Sequence, residues 1–251
     1  GRKDGKVTVR AIRSGHLETD GGLPDIVGFE IEDNGIGFTD EHRRSFDTLY
    51  SDLKLNEGGK GFGRFTCLRH FEDLRVVSIF SGAQGYQRRA FTMGKDNEII
   101  VGEELVAVAA TDSKTIVYLG KLRSGSYEKK LSTLARTLVE KLLPYFITKD
   151  YKPPEITLCE HDGSGAIRLG EFTSQLSDVI QELHTPDSTF ALRAAAGDQS
   201  FAVRIFKFRS PKNHKSMISL VAHKREVSST AIHKYIPEFE DEFYEKDAAG
   251  N

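Results

Sequence analysis

Two short stretches gather the residues best suited to hold a flat, charged ligand. In residues 29–38 an alternating apolar run ends in Asp33, Asn34, Gly35, Ile36 and Gly37. A carboxylate at the end of such a strand is a strong hydrogen-bond acceptor, and two glycines beside it let the backbone approach a ligand closely. In residues 58–65, Gly59, Gly61 and Gly63 alternate with Lys60, Phe62 and Arg64, and an apolar run from Phe65 to Phe71 follows. A glycine run that opens a helix turns backbone N–H groups toward an anion, and Lys60 and Arg64 add positive charge. Together the two stretches describe a nucleotide pocket, with the base at one end and the phosphates at the other.

Each stretch has a plainer reading when taken alone. Asn34-Gly35 after a strand is also the signature of a tight hairpin turn. Gly37 and the helical pattern that opens at Thr39 weigh against a return strand. Asp33 would also be costly at the end of an apolar strand without a partner. The second stretch is not a P-loop, because Gly61 follows Lys60 where Ser or Thr is required. Nor is it the dinucleotide fingerprint, because Arg64 stands where the third glycine belongs. Other chemistry is sparse. Gly163-Ser164-Gly165 lacks the outer glycines of a nucleophile elbow, and the eight histidines show no metal-ligand spacing.

The elements that position these residues follow from periodicity. Strands are expected over residues 6–13 and 25–32, with Val27, Phe29 and Ile31 on one face. Thr39 or Asp40 caps a short helix carrying Phe46 and Leu49, residues 51–58 form a loop, and a helix runs over about 62–71. Strands follow over 74–80, 87–93, 98–101 and 115–119. A long amphipathic helix is expected over 126–147, with Leu131, Leu134, Leu138, Leu142 and Phe146 inward and Pro144 near its end. A hairpin turns at 162–165, residues 172–183 read as a helix, and strands are expected over 190–192, 201–208 and 217–222. The expected fold class is α/β (α+β): a two-layer sandwich over residues 1–122, then a smaller α/β domain over 123–251.

Composition excludes several classes. Acids (37) nearly balance Lys plus Arg (35), so no global field points to nucleic acid or membrane. The two cysteines, Cys67 and Cys159, form no CxxC pair, so a disulfide or zinc framework is not expected and a cytoplasmic location is. No apolar run approaches the roughly 20 residues of a membrane span. The first residue is Gly1 rather than methionine, as expected for a fragment or a processed chain.

The two boxes, in this order, resemble those of the GHKL ATPase superfamily of gyrase, the Hsp-ninety chaperones, histidine kinases and MutL. The resemblance implies a Bergerat-type sandwich that binds ATP with Mg²⁺. It casts Asp33 as the acceptor for the adenine amino group, with Asn34, Gly35 and Gly37 around the base. Gly59, Lys60, Gly61, Phe62, Gly63 and Arg64 then hold phosphates, and Thr115 supports the adenine-side carboxylate. It further implies a lid over residues 39–58 and ATP-dependent homodimerisation. Residues 218–227 resemble the transducer strand and turn of gyrase and MutL, with His223-Lys224 replacing Asn-Gly. Lys212, Lys215 and Lys224 are candidates to reach the terminal phosphate.

One departure concerns catalysis. The family's water-activating glutamate and magnesium-binding asparagine sit on a helix before the first strand, and only five residues precede Lys6. Either that helix lies upstream of Gly1 or the chain does not hydrolyse ATP in the family's way, so no catalytic or metal residue is assigned. Three readings follow: an ATPase, a nucleotide-gated module without turnover and, disfavoured for want of a phospho-acceptor helix, a histidine kinase. Strand alternation turns Glu30 and Glu32 away from Asp33, so neither serves as the base. The expected outcome is that this 251-residue chain releases no phosphate from ATP above background. Clear turnover would place the base within these residues.

Overall fold

The structure is a computed structural model that describes residues 4–15, 22–48, 63–95, 98–123, 125–148, 151–173, 180–183, 189–194, 197–208 and 216–239. The chain divides into two units, Gly1–Gly170 with Ala222–Arg225, and Glu171–Val221 with Glu226–Asn251.

In the first unit, alternating apolar residues build β1 (Lys6–Arg13), β2 (Ile26–Asp33), β3 (Phe71–Gly82), β4 (Gly85–Met93), β5 (Ile100–Ala107), β6 (Lys114–Leu122), β7 (Glu155–Glu160) and β8 (Ile167–Arg168). They form one mixed sheet in the order β5-β4-β3-β6-β2-β1-β7-β8. Every pair is antiparallel except β1 with β7. Helix α1 (Asp40–Asp47) is capped by Thr39, whose side chain accepts the His42 N–H. Helix α2 (Gly63–His70) leads directly into β3, and α3 (Leu131–Ile147) connects β6 to β7.

The core lies on one face of this sheet. Leu74, Val76, Ser78 and Phe80 point inward from β3, and Arg89, Phe91 and Met93 from β4; all are buried. Phe38 and Phe46 close over Phe91, with ring centroids 5.2 and 5.4 Å from it, so α1 covers this face. Helix α3 buries Leu131, Leu134, Ala135, Val139 and Pro144. Its stripe is narrower than expected, since Leu138, Leu142 and Phe146 are half-buried. It also starts later, at Leu131 rather than Ser126.

Two bulges change faces. At Ile12/Arg13 the β1–β2 register shifts, so Ile26 rather than Val27 is buried at 1% exposure. Between β4 and β5, Thr92 pairs with Val101 but Ala90 pairs with Glu104, placing two residues opposite Phe91. Gly102 at that point has φ +63°, the left-handed backbone a glycine bulge requires.

The expected division at 122/123 falls inside the first unit. Strand β7 pairs with β1 over Lys6–Ala11, which ties α3 and β8 to this sheet. In the second unit the described strands form two-stranded pairs. These are β9 (Ile180–Leu183) with β12 (Ile205–Phe208), β10 (Thr189–Ala194) with β11 (Gly197–Ala202), and β13 (Met217–Ala222) with β14 (Arg225–Ala231). The helix expected over 172–183 is replaced by a 3-10 turn at Leu169–Thr173 and by β9. The single strand expected over 201–208 is two, because β11 and β12 pair with different partners.

Leu158, fully buried on β7, is the register partner of Val9. Leu158→Ala should cost about 2–5 kcal/mol in urea unfolding and raise amide exchange on β1. Unchanged protection on β1 would place β7 outside this unit.

Candidate functional site

One cross-strand row carries the polar chemistry of the inner face. Val7 on β1 pairs with Asp33 on β2, Asp33 with Thr115 on β6, Thr115 with Ser78 on β3, and Ser78 with Arg89 on β4. The next row on the same face is apolar throughout: Val9, Ile31, Val117, Val76 and Phe91. Val7, Val9, Ile31 and Val117 are only half-buried, so they form an apolar floor beside Asp33.

The hydroxyl of Ser78 orders this row. It is 1% exposed, and three groups surround it: the Phe38 N–H at 2.8 Å, the Lys114 carbonyl at 3.0 Å and the Thr115 hydroxyl at 2.9 Å. A serine has one proton to give. The carbonyl can only accept it and the amide can only donate, so the Thr115 hydroxyl donates to Ser78. The Thr115 oxygen, on the register partner of Asp33, then has only lone pairs left to offer.

Asp33 is half-buried. Its Oδ1 accepts the Gly35 N–H at 2.8 Å, and its other oxygen has no hydrogen bond among the described residues. Two acceptors, the Asp33 carboxylate and the Thr115 oxygen, therefore stand side by side on an apolar floor. The glycines beside them are required. Gly37 has φ +83°, and a Cβ there would meet the Ile79 carbonyl and lie 2.7 Å from the Phe80 Cβ. At Gly35 a Cβ would lie 2.6 Å from Asp33 Oδ1 and push the carboxylate out of its turn.

Asn34 does something else. Its Oδ1 accepts the Lys6 N–H at 2.7 Å and its Nδ2 donates to the Asp4 carbonyl at 3.0 Å, so it latches the start of β1. Gly59, Lys60, Gly61 and Phe62 lie outside the described residues, as do Lys212 and Lys215. Gly63 and Arg64 are the first two residues of α2. The opposite end of that helix is held by Arg123, whose N–H donates to the His70 carbonyl at 2.8 Å and whose Nε donates to the Leu68 carbonyl at 3.0 Å. Lys224 lies within the first unit, its Nζ 3.8 Å from the centre of the Tyr151 ring.

Glu30 and Glu32 are on the other face of the sheet, paired with Arg10 at 3.0 and 3.2 Å. Among the described residues no group of three or more His, Cys, Asp or Glu is arranged to hold a metal ion. Two shallow depressions, one beside Leu23 and Tyr127 and one across Arg75, Tyr118 and Arg88, do not include the Asp33 row.

Sequence reasoning missed Ser78 and Arg89. The available signal for Ser78 was a serine among the inward positions Leu74, Val76 and Phe80. No signal separated Arg89 from its neighbour Arg88.

No protein-family model matches the chain, and no curated protein matches it. Among solved structures it is similar to the ATPase region of Saccharomyces cerevisiae topoisomerase II, at 13% identity over 73% of this chain and 50% of that chain, with TM-score 0.46. It is similar to the same region bound to ICRF-187 (dexrazoxane), at 13% identity over 73% and 50%, with TM-score 0.45. It is also similar to the ATPase and transducer domains of DNA topoisomerase II from Balamuthia mandrillaris, at 11% identity over 70% and 49%, with TM-score 0.42. The chain spans about half the length of these structures. At this level of likeness neither ligand nor partner passes from them to this chain. No helix among the described residues is long and apolar enough to cross a membrane.

Ser78→Ala leaves the Phe38 N–H without its acceptor and should cost about 1–3 kcal/mol in urea unfolding. A loss below about 0.5 kcal/mol, the level of an ordinary surface change, would mean that Phe38 has another partner.

Proposed function

We propose that the first unit is an ATP-binding module of the GHKL type. The observation that carries this reading is the acceptor pair of Asp33 and Thr115 beside glycines that exclude any side chain. Such an arrangement suits a flat base that presents an amino group. The Asp33 oxygen left open by the Gly35 turn accepts the adenine amino hydrogen, the Thr115 oxygen accepts from an adjoining donor or water, and the Val9–Ile31–Val117 floor packs the ring. The phosphates then extend toward the start of α2, where Gly59, Lys60, Gly61, Phe62, Gly63 and Arg64 hold them.

In this reading residues 39–58 form the lid over bound ATP, with α1 already packed on the sheet as its base, and closure joins two copies of the chain. The β13–β14 hairpin and the residues of the second unit serve as a transducer. Supporting that role, the β13–β14 hairpin turns through His223 and Lys224 at φ 49° and 64°, the turn type that Asn-Gly ordinarily supplies. Mg²⁺ arrives with the triphosphate, and no group of described residues fits it as a resident metal site.

A second reading, nucleotide gating without turnover, is favoured by the acids of the sheet. Glu30 and Glu32 face away with Arg10, and on the inner face Asp40 and Glu103 are engaged with Arg89. Each of these four carboxylates is paired with an arginine.

Asp33→Asn keeps the oxygen that accepts the Gly35 N–H while removing the charge, so the fold is retained. ATP affinity measured by calorimetry should fall about tenfold or more, the loss of roughly 1–3 kcal/mol expected for a hydrogen bond to a charged acceptor. Equal affinities for the two forms would remove Asp33 from the site.

A further inference from the structure

Arg89 is the far end of the Asp33 row, three strands and about 14 Å from Asp33 at ordinary strand spacing. Its side chain is 3% exposed, and burying a guanidinium is costly unless its donors are engaged. Nη1 donates to the Phe38 carbonyl at 2.7 Å, and Nη2 to the Asp40 carboxylate. Nε lies 2.9 Å from Glu103 Oε1, close enough to pair electrostatically but too oblique for a hydrogen bond. The guanidinium also covers the Phe80 ring, 4.9 Å from its centre.

These contacts hold the two peptide units that flank Phe38, where the Asp33 loop closes. Phe38 is held from both sides, its carbonyl by Arg89 and its N–H by Ser78. Ser78 in turn fixes the proton of Thr115, which leaves Thr115 acceptor-only beside Asp33. A continuous set of hydrogen bonds thus runs from Arg89 through Phe38 and Ser78 to Thr115, the register partner of Asp33. The glycine bulge at Gly102 serves the same end. Without the one-residue shift, Glu104 would share the Arg89 face; with it, Glu103 does, and Glu104 turns to Arg88 on the other face at 3.8 Å. Glu103 also binds Arg43 of α1 at 3.0 Å, so the same group anchors the helix that follows the loop.

We infer that Arg89 is a positioning residue for base recognition: through Phe38 and Ser78 it holds the Asp33–Thr115 acceptors in register with the amino group of the bound base. This inference rests on the ATP-binding reading. Arg89 touches no base itself. It acts on the fit of the amino-group acceptors and not on the apolar floor or the phosphate end, so its removal changes selectivity and not merely affinity.

The test compares ATP with the purine riboside triphosphate that lacks only the 6-amino group, using calorimetry on wild type, Arg89→Lys and Asp40→Ala. Arg89→Lys keeps the charge but loses the fork that reaches Phe38 and Asp40 together. Asp40 is 74% exposed, and Asp40→Ala leaves Arg89 its Phe38 carbonyl and Glu103, so it is the milder change; urea unfolding of both variants identifies one that fails to fold. Wild type should prefer ATP about tenfold, the worth of one such hydrogen bond. Both variants should narrow that preference to about threefold or less. Amide exchange at Phe38 should rise relative to β1 in the same variants. If both triphosphates weaken by one factor and the preference is kept, Arg89 is a structural residue only and the inference is overturned. A wild type that binds ATP without preference also overturns it. A wild type that binds neither triphosphate removes the ATP reading itself, and this inference with it.

Discussion

A single serine proton decides the character of the inner face. Ser78 accepts the Phe38 N–H and gives its own proton to the Lys114 carbonyl, so Thr115 must donate to it. That one allocation closes the loop after Asp33, joins β3 to β6 beneath it and leaves two acceptors facing the open part of the sheet. The glycines complete the arrangement by removing side chains where backbone meets backbone. Among otherwise apolar inward positions, this polar row is closed by internal hydrogen bonds at Ser78, held by Phe38 and two acids at Arg89, and left open at Asp33. That asymmetry along one row is what the proposed site rests on.

The electrostatics follow the same division. On the outer face Arg10 lies between Glu30 and Glu32, half-exposed, in ion pairs that contribute little to stability. On the inner face Arg89 is nearly inaccessible, and its acids come from α1 and from β5. Burial raises the value of correct pairing and the cost of a missing partner. The inner network therefore fixes the direction in which α1 leaves the sheet, whereas the outer one decorates a surface. Both arginines were equally visible as residues; only their faces differ.

Much of this unit was legible in the sequence because period-two alternation survives wherever the register is unbroken. The strand ending at Asp33, the need for glycine at position 37 and the strand carrying Thr115 all follow from local pattern. What escaped was set by shifts of one residue or by distant pairing. The bulge opposite Val27 exchanged it for Ile26, and the bulge at Gly102 selected Glu103 over Glu104. Arg88 and Arg89 are chemically the same in sequence, and only the sheet decides which is buried. Asn34 read as a base-side residue because it lies between Asp33 and Gly35, yet its amide is spent on the backbone of Asp4 and Lys6. The boundary expected near residue 122 lies within the first unit, because nothing local announces that β7 returns to β1.

That return has a consequence for how the chain reaches its fold. Strand β1 sits between β2, a hairpin neighbour, and β7, whose Cys159 lies 150 residues from the Val9 carbonyl that its thiol approaches. The near partner is found quickly, but the far one closes a very long loop and is slow to form. While residues beyond 160 are still being synthesised, β1 presents a bare edge of unpaired amides and carbonyls, an edge that invites pairing with foreign strands. The Asp33 row lies next to that edge. Kinetically, then, the face carrying Asp33 is assembled from its α1 side first and is sealed at the β1 edge only when β7 arrives.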